Sequence, residues 1–92
     1  MEGIEEKALK IYKAMFNDKE IVKIDDKKYC FDRTPQLGLR ILKIGDYKFL
    51  EQNPEKDTQW GEKARKGHKI LWVLKDSDYI AQVYDGEFRY WG

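Results

Sequence analysis

The residues best placed to do chemistry in this 92-residue chain are cations that follow a tryptophan. Between residues 63 and 75 five positions are Lys or Arg and none is acidic, so this stretch carries +5 in a chain of net charge +1. Cations beside an aromatic ring can contact phosphates while the ring stacks on a base. The predicted nucleic-acid-binding residues are Trp60, Lys63, Arg65, Lys66, His68, Lys69 and two hairpin lysines, Lys43 and Lys48.

The same cations also have a purely structural interpretation. Lys and Arg in the last turn of a helix stabilise it through the helix dipole, and Trp60 with Ala64 fits the buried face of a short helix. Aromatic residues alternate at 47 and 49 and at 88 and 90. Base-stacking platforms use this spacing, although it is more typical of a half-buried strand. The nucleic-acid hypothesis therefore requires that the cations converge on one exposed patch.

No set of residues in the sequence indicates catalysis. Cys30 and His68 are each alone of their type, and a Cys–His pair must lie within hydrogen-bond reach to act together. Cys30 lies between two aromatic residues of a predicted strand, which is typical of a small buried side chain. The acidic residues at 25–26 and 76–78 fall at predicted turns, where Asp often bonds the local backbone. We therefore expect a non-catalytic module without a metal or a cofactor.

The alternative function is a protein-interaction or homodimerising module with no nucleic-acid role. The last predicted strand, residues 87–91, is a candidate edge of the sheet. An exposed edge strand can pair with a second chain through its free backbone groups. The two functions differ in a simple observable, because only the alternative requires a dimer in the absence of nucleic acid.

Hydrophobic periodicity predicts the elements that must position these residues. Apolar residues at 4, 8, 11, 12 and 15 form one stripe of an amphipathic helix over residues 4–16. Asp57-Thr58 can begin a second, short helix, which Gly67 ends. Seven short strands are predicted over residues 20–24, 28–32, 39–44, 47–52, 70–74, 79–84 and 87–91.

Two turns predict the pairing of these strands. Gly45-Asp46 suits a type II′ hairpin that sets Lys43 opposite Lys48, and Asp85-Gly86 suits a hairpin that pairs residues 81–84 with residues 87–90. Directly opposed like charges destabilise a strand pair. Such a conflict can mark an anion site, although two flexible lysines near a turn can also extend into water.

Together these elements predict a single α+β domain over residues 1–92. The N-terminal helix packs on a strongly curved antiparallel sheet or small open barrel of about seven short strands, with the second helix between two meanders. The balanced charge argues against global steering towards a polyanion. One cysteine suits the reducing cytoplasm, and the absence of an apolar run of about 20 residues predicts no membrane partner. The 38% charged residues, with 14 Lys against 4 Arg, suggest a thermophilic source.

Overall fold

The computed structural model describes residues 2–91, which contain a helix followed by five strands and then a second helix followed by three strands. The elements are α1 Ile4–Phe16, β1 Ile21–Ile24, β2 Lys27–Cys30, β3 Asp32–Arg33, β4 Arg40–Ile44, β5 Tyr47–Glu51, α2 Gln59–Arg65, β6 Ile70–Lys75, β7 Asp78–Tyr84 and β8 Glu87–Tyr90. The predicted α+β class is confirmed, and α2 lies between β5 and β6 as expected.

The strands form two antiparallel sheets. β1 and β2 make a separate hairpin, and the other six strands follow one another in chain order from β3 to β8 without closing into a barrel. The predicted strand over residues 28–32 is divided between the two sheets, which is why eight strands are found in place of seven. The Phe31 N–H donates to the Glu20 carbonyl, closing the hairpin, and Asp32 then pairs with Ile41 of the larger sheet.

The hairpin turns have the backbone conformations that their residues predict. Gly45 has φ +58°, as the first position of a type II′ turn requires, and Asp85 and Gly86 both have positive φ. The registers predicted from these two turns are confirmed, including the Lys43–Lys48 pair. A register shift at Val73/Leu74 leaves Ile80 as an extra residue in β7.

One face of the six-stranded sheet is covered by α1 and by the β1–β2 hairpin. Ala8, Ile11 and Met15 of α1 are fully buried there, as the predicted stripe requires. They pack with Phe49 and with alternate residues of the central strands, such as Leu71 and Val73. Each fully buried aliphatic or aromatic side chain contributes about 1.5–3 kcal/mol, so this layer holds most of the core.

Arg40 links the C-terminal end of α1 to this sheet. Its guanidinium donates to Glu51 (Nη2–Oε2 2.8 Å) and to the Met15 carbonyl oxygen, and it lies over the Phe16 ring. Burial raises the pKa of Glu51, but the hydrogen bonds and charge of Arg40 outweigh burial, so the pKa is lowered overall. The sequence predicts the Arg40–Glu51 pairing from the hairpin turn.

Cys30 is exposed, so the prediction that it is a buried side chain is wrong. Alternation along β2 explains the difference. Val22 pairs with Tyr29 on the inner side of the hairpin, and Ile21 pairs with Cys30 on the outer side. The flanking aromatic residues mark the inner side, and Cys30 between them necessarily occupies the other.

Candidate functional site

The six-stranded sheet has a second face, which we call the open face because only the seven-residue helix α2 packs on part of it. The strand registers define its members, which include Lys43, Lys48, Leu50, Trp72, Leu74, Tyr79, Gln82, Tyr84 and Arg89. α2 meets this face through Trp60, which packs with the buried trio Ile70, Trp72 and Leu74. Alternation along each strand separates these residues from the α1-covered core.

Five aromatic side chains form a continuous cluster on the open face. The Trp60 ring meets Trp72, Trp91 and Tyr84 at centroid distances of 5.6, 5.4 and 6.1 Å, all edge-on. Trp72 also meets Trp91 at 5.0 Å and Tyr79 at 5.2 Å. Trp72 is buried at the centre, whereas Tyr79 and Trp91 are 46% and 40% exposed. The cluster therefore presents two aromatic rings to solvent on a rigid base.

A cavity of about 460 Å³ opens beside this cluster. This volume lies within the range of small-molecule sites, roughly 300–1,000 Å³. Its lining is Leu39, Leu50, Glu51, Gln52, Asn53, Lys56, Thr58, Trp60, Trp72, Tyr79 and Trp91. The walls are therefore mainly aromatic and aliphatic, with polar side chains contributed by the segment that joins β5 to α2.

The floor of the cavity is held by a buried hydrogen bond. The Trp72 indole N–H donates to Gln52 Oε1 at 2.5 Å, and the Gln52 amide donates to the Asn53 carbonyl at 2.9 Å. Buried polar groups that are fully paired rigidify their surroundings. Thr58 fixes the adjoining rim, since its hydroxyl oxygen caps α2 by accepting from the Gly61 N–H.

Two of the residues predicted from sequence lie within the aromatic cluster or against it. Trp60 is one of its five members, and Lys63, one turn later in α2, places its ammonium 5.8 Å from the Trp60 ring and 5.5 Å from the Tyr84 ring. Cation–π contacts of this length are attractive. Arg89, which the sequence hypothesis did not include, also lies over Tyr84, at 5.2 Å from the ring centroid.

The remaining cations at the end of α2 make separate local contacts. Arg65 donates to the Pro54 carbonyl at 2.7 Å, and Lys66 forms an ion pair with Glu62 at 3.1 Å. Lys69 is exposed at the start of β6. Arg65 and Lys66 bind different partners and Lys69 faces solvent, so the three side chains do not form one uncompensated patch.

His68 is held by Asp85, a residue of the β7–β8 turn. The His68 Nδ1 lies 2.7 Å from Asp85 Oδ2, and the imidazole stacks on Tyr84. The bond from His68 lowers the pKa of the Asp85 carboxyl, and a second bond from the Lys69 backbone N–H lowers it further. This arrangement ties the end of α2 to the last hairpin.

Lys43 and Lys48 lie on the open face beyond the aromatic cluster. Lys48 pairs with Leu74, and Leu50, two residues further along β5, pairs with Trp72. Two strand residues span about 6.8 Å, so the lysine pair lies one step from the aromatic floor. The structure thus brings Trp60, Lys63, Lys43 and Lys48 to a single face of the sheet.

The aromatic platforms considered from sequence lie elsewhere. Phe49 is fully buried, and Tyr47 and Phe88 pack against the α1-covered core, so neither pair is a platform on the open face. Tyr90, which is 70% exposed, belongs by register to the face of Ala81. The spacing of two correctly indicates two-faced strands, but the packing of α1, which lies far away in sequence, determines which face is buried.

The sequence analysis missed Trp72, Tyr79 and Trp91 as members of a site. Trp72 lies within a run of five apolar residues that is buried on both faces, and such a run has no alternation to reveal its side. Trp91 reaches Trp72 from β8, across the intervening strand β7. The sequence does contain one indication of the face that Trp72 occupies. The predicted Gly45-Asp46 turn places Leu50 on one face of the sheet, and the pairing of Leu50 with the next strand would place Trp72 on the same face.

Within residues 2–91, no helix combines the length and apolarity needed to cross a membrane. The same residues contain no group of three His, Cys, Asp or Glu side chains close enough to hold a metal ion. Comparisons with protein-family models, curated proteins and solved structures give no significant match. Arguments about function therefore rest on the open face itself.

Proposed function

We propose that this protein is a non-catalytic module that binds single-stranded nucleic acid on the open face. The observation that supports this proposal is the exposed aromatic cluster of Trp91 and Tyr79 beside a cavity floored by Trp72. Aromatic side chains on a sheet stack with bases, and each stacked base contributes about 1–3 kcal/mol. The 460 Å³ cavity has room for one nucleobase and its sugar.

Cations around the cluster supply the phosphate contacts that such a strand needs. Lys43 and Lys48 lie together at one end of the open face, and Lys63 lies over Tyr84 near the other. A backbone that follows the face from one end to the other would pass both groups. Glu51, the acid in the cavity wall, is paired with Arg40 and therefore contributes little repulsion.

The proposed ligand is the one that the sequence predicts, but only some of the predicted residues belong to the proposed site. Trp60 and Lys63 remain central because they belong to the cluster. Lys66 and His68 are each paired with a carboxylate, and Arg65 is bonded to a carbonyl. Recruiting these three for phosphate contacts would first require breaking those bonds, so the open face is the better candidate than the helix end.

The stacking part of the proposal is tested with a fluorescently labelled oligo-dT and fluorescence anisotropy. Trp91→Ala should weaken binding about tenfold or more, since it removes one stacking partner. Tyr90→Ala is the matched control, because this neighbouring aromatic residue is more exposed but lies on the other face. An equal effect of both substitutions, or no binding by the unmodified protein, would overturn the proposal.

The electrostatic part is tested by titrating salt. Each phosphate contact to a single strand contributes about 0.7 to the slope of log K against log salt. Lys43→Ala with Lys48→Ala should reduce that slope by about 1.4. Lys23 and Lys28 form an equivalent opposed lysine pair on the β1–β2 hairpin, so alanines there provide the control. A slope that is insensitive to the first pair excludes these lysines from the site.

A homodimerising module is the second candidate, supported by β8. This strand is the outer member of the six-stranded sheet, and its edge is available for pairing. Light scattering distinguishes the two functions. A stable dimer at micromolar concentration with no oligonucleotide binding would favour the second, whereas a monomer that binds oligo-dT favours the first.

A further inference from the structure

Gln82, at the centre of β7, is a fully buried amide with an unused donor. Its exposure is 0%, its Oε1 accepts from Arg89 Nη2 at 2.8 Å, and its Nε2 has no hydrogen-bond partner among the described residues. Most buried polar groups in proteins are paired, and an unpaired one is costly. The open face therefore contains a donor that lacks an acceptor.

The direction of this amide is fixed by its neighbour. A guanidinium has only donors, so the atom of Gln82 that faces Arg89 must be the oxygen. Turning the amide over would place two donors against each other. The unpaired group is consequently an N–H₂, and the partner it lacks is an acceptor.

The position of Gln82 relative to the aromatic cluster follows from the strand order. Gln82 pairs with Trp72 on one side and with Arg89 on the other. Strands β6 and β8 are two spacings apart, about 9.6 Å, yet the Trp72 and Trp91 rings meet at 5.0 Å. The two rings must therefore extend towards each other across the open face of β7, in the part of the sheet that contains Gln82.

We propose that a nucleobase inserts between Trp72 and Trp91 and places a carbonyl oxygen on Gln82 Nε2. This inference rests on the proposed nucleic-acid function and assigns the chemical class of base. The two rings now meet edge-on at 90°. A base sandwiched between parallel rings needs them about 7 Å apart, so Trp91 must turn and retreat by about 2 Å. Trp91 lies beyond the last residue of β8, and its backbone N–H donates to the Ile80 carbonyl.

The donors at this position select among bases. The Gln82 N–H₂ and the adjoining Arg89 guanidinium present N–H groups alone. Thymine and uracil carry exocyclic carbonyl oxygens that accept from such donors, and guanine accepts through O6. Adenine accepts only at ring nitrogens, and beside N7 its amino group is a donor that would face the donors of Gln82 and Arg89. We therefore expect the site to bind carbonyl-bearing bases more tightly than adenine, even though adenine stacks more strongly than a pyrimidine.

The test compares oligo-dT with the same oligomer carrying difluorotoluene, an isostere of thymine that keeps its shape but is a very poor acceptor. The unmodified protein should bind oligo-dT about tenfold more tightly, the value of about one hydrogen bond. Gln82→Met removes the donor at similar volume and should bring the ratio of the two affinities close to one. Gln82→Glu, which retains an acceptor for Arg89, should do the same and serves if the first variant fails to fold.

The outcomes separate this inference from the function on which it rests. Binding of both oligomers with equal affinity by the unmodified protein overturns the role of Gln82 and leaves stacking intact. An unchanged preference for oligo-dT in the folded Gln82 variants also overturns it. Failure to bind either oligomer overturns the nucleic-acid function, and the inference with it.

Discussion

Among the glycines of residues 2–91, Gly61 is the one at which an added methyl group should destabilise the fold most. It lies in the first turn of α2, and a Cβ atom built there would be 2.0 Å from the Lys56 carbonyl oxygen. The Lys56 carbonyl carbon and nitrogen would be 2.9 and 3.2 Å away. These atoms are backbone, so no side-chain rotation can relieve the contact.

Two effects compete in Gly61→Ala, and the structure decides between them. Replacing Gly by Ala inside a helix ordinarily stabilises it by about 1 kcal/mol. Here the segment before α2 must move away by about 1.4 Å to restore ordinary contact at 3.4 Å. Overpacking of this kind costs about 1–3 kcal/mol or more. We expect a net loss of about 2 kcal/mol in the free energy of unfolding, or about 10 °C in Tm for a domain of this size.

The displaced segment also lines the cavity beside the aromatic cluster. Asn53, Lys56 and Thr58 line the rim, so the substitution should weaken oligonucleotide binding as well as stability. Thermal melts followed by circular dichroism, together with anisotropy titrations below the Tm, measure both effects. Gln59→Ala is the control, because this exposed residue of the same helix should change stability by less than about 0.5 kcal/mol. A Tm for Gly61→Ala at or above that of the unmodified protein would refute the close approach.

Two further predictions concern the Arg40–Glu51 and His68–Asp85 pairs. Arg40→Met should cost about 2 kcal/mol, because it leaves the carboxylate of Glu51 mostly buried without its partner; adding Glu51→Gln should recover part of that loss, and denaturant melts of the single and double variants measure the recovery. The pKa of Asp85 is lowered by His68 and the Lys69 backbone, so the unfolded chain takes up this proton first as the pH falls. The stabilisation from Asp85 is therefore present above about pH 4 and lost below it. Asp85→Asn should flatten the stability profile between about pH 5 and pH 2; a profile that remains parallel to that of the unmodified protein would contradict this.

The parts of the fold that local chemistry determines could be predicted from the sequence. α1 has the bounds that its apolar stripe indicates, and the Gly45-Asp46 and Asp85-Gly86 turns set the registers of their hairpins. In each case the decisive residues lie within a few positions of one another. The turn geometry then places every side chain of the two strands on one face or the other.

The parts that depend on distant contacts could not be predicted. The division of residues 28–32 between two sheets follows from the pairing of Asp32 with Ile41, which no local pattern indicates. The approach of the Lys56 backbone to Gly61 depends on the path of an irregular segment. The aromatic cluster likewise requires three strands and α2 to be in place before Trp72 and Trp91 meet.

The unequal covering of the two sheet faces is the physical basis for the function proposed above. α1 and the β1–β2 hairpin cover one face, whereas only the seven residues of α2 pack on the other. Tyr79 and Trp91 thereby keep 46% and 40% of their surfaces in water. Side chains of this size can bury roughly 200 Å² each. If the exposed parts of Tyr79 and Trp91 were buried, the hydrophobic stabilisation gained would be on the order of 3–5 kcal/mol.

That unused burial is available to a ligand with a flat apolar face. Because the rings rest on Trp72, whose indole is fixed by Gln52, they need little further ordering when a ligand binds, and a rigid site loses less entropy on binding. A nucleotide of a single strand would offer the π-face of its base to the rings and a base carbonyl to the buried amide of Gln82, while the phosphates of the strand would reach the lysines. A peptide with apolar side chains could offer a backbone carbonyl to Gln82, but it carries no phosphates for the lysines, and this difference favours a nucleic-acid strand.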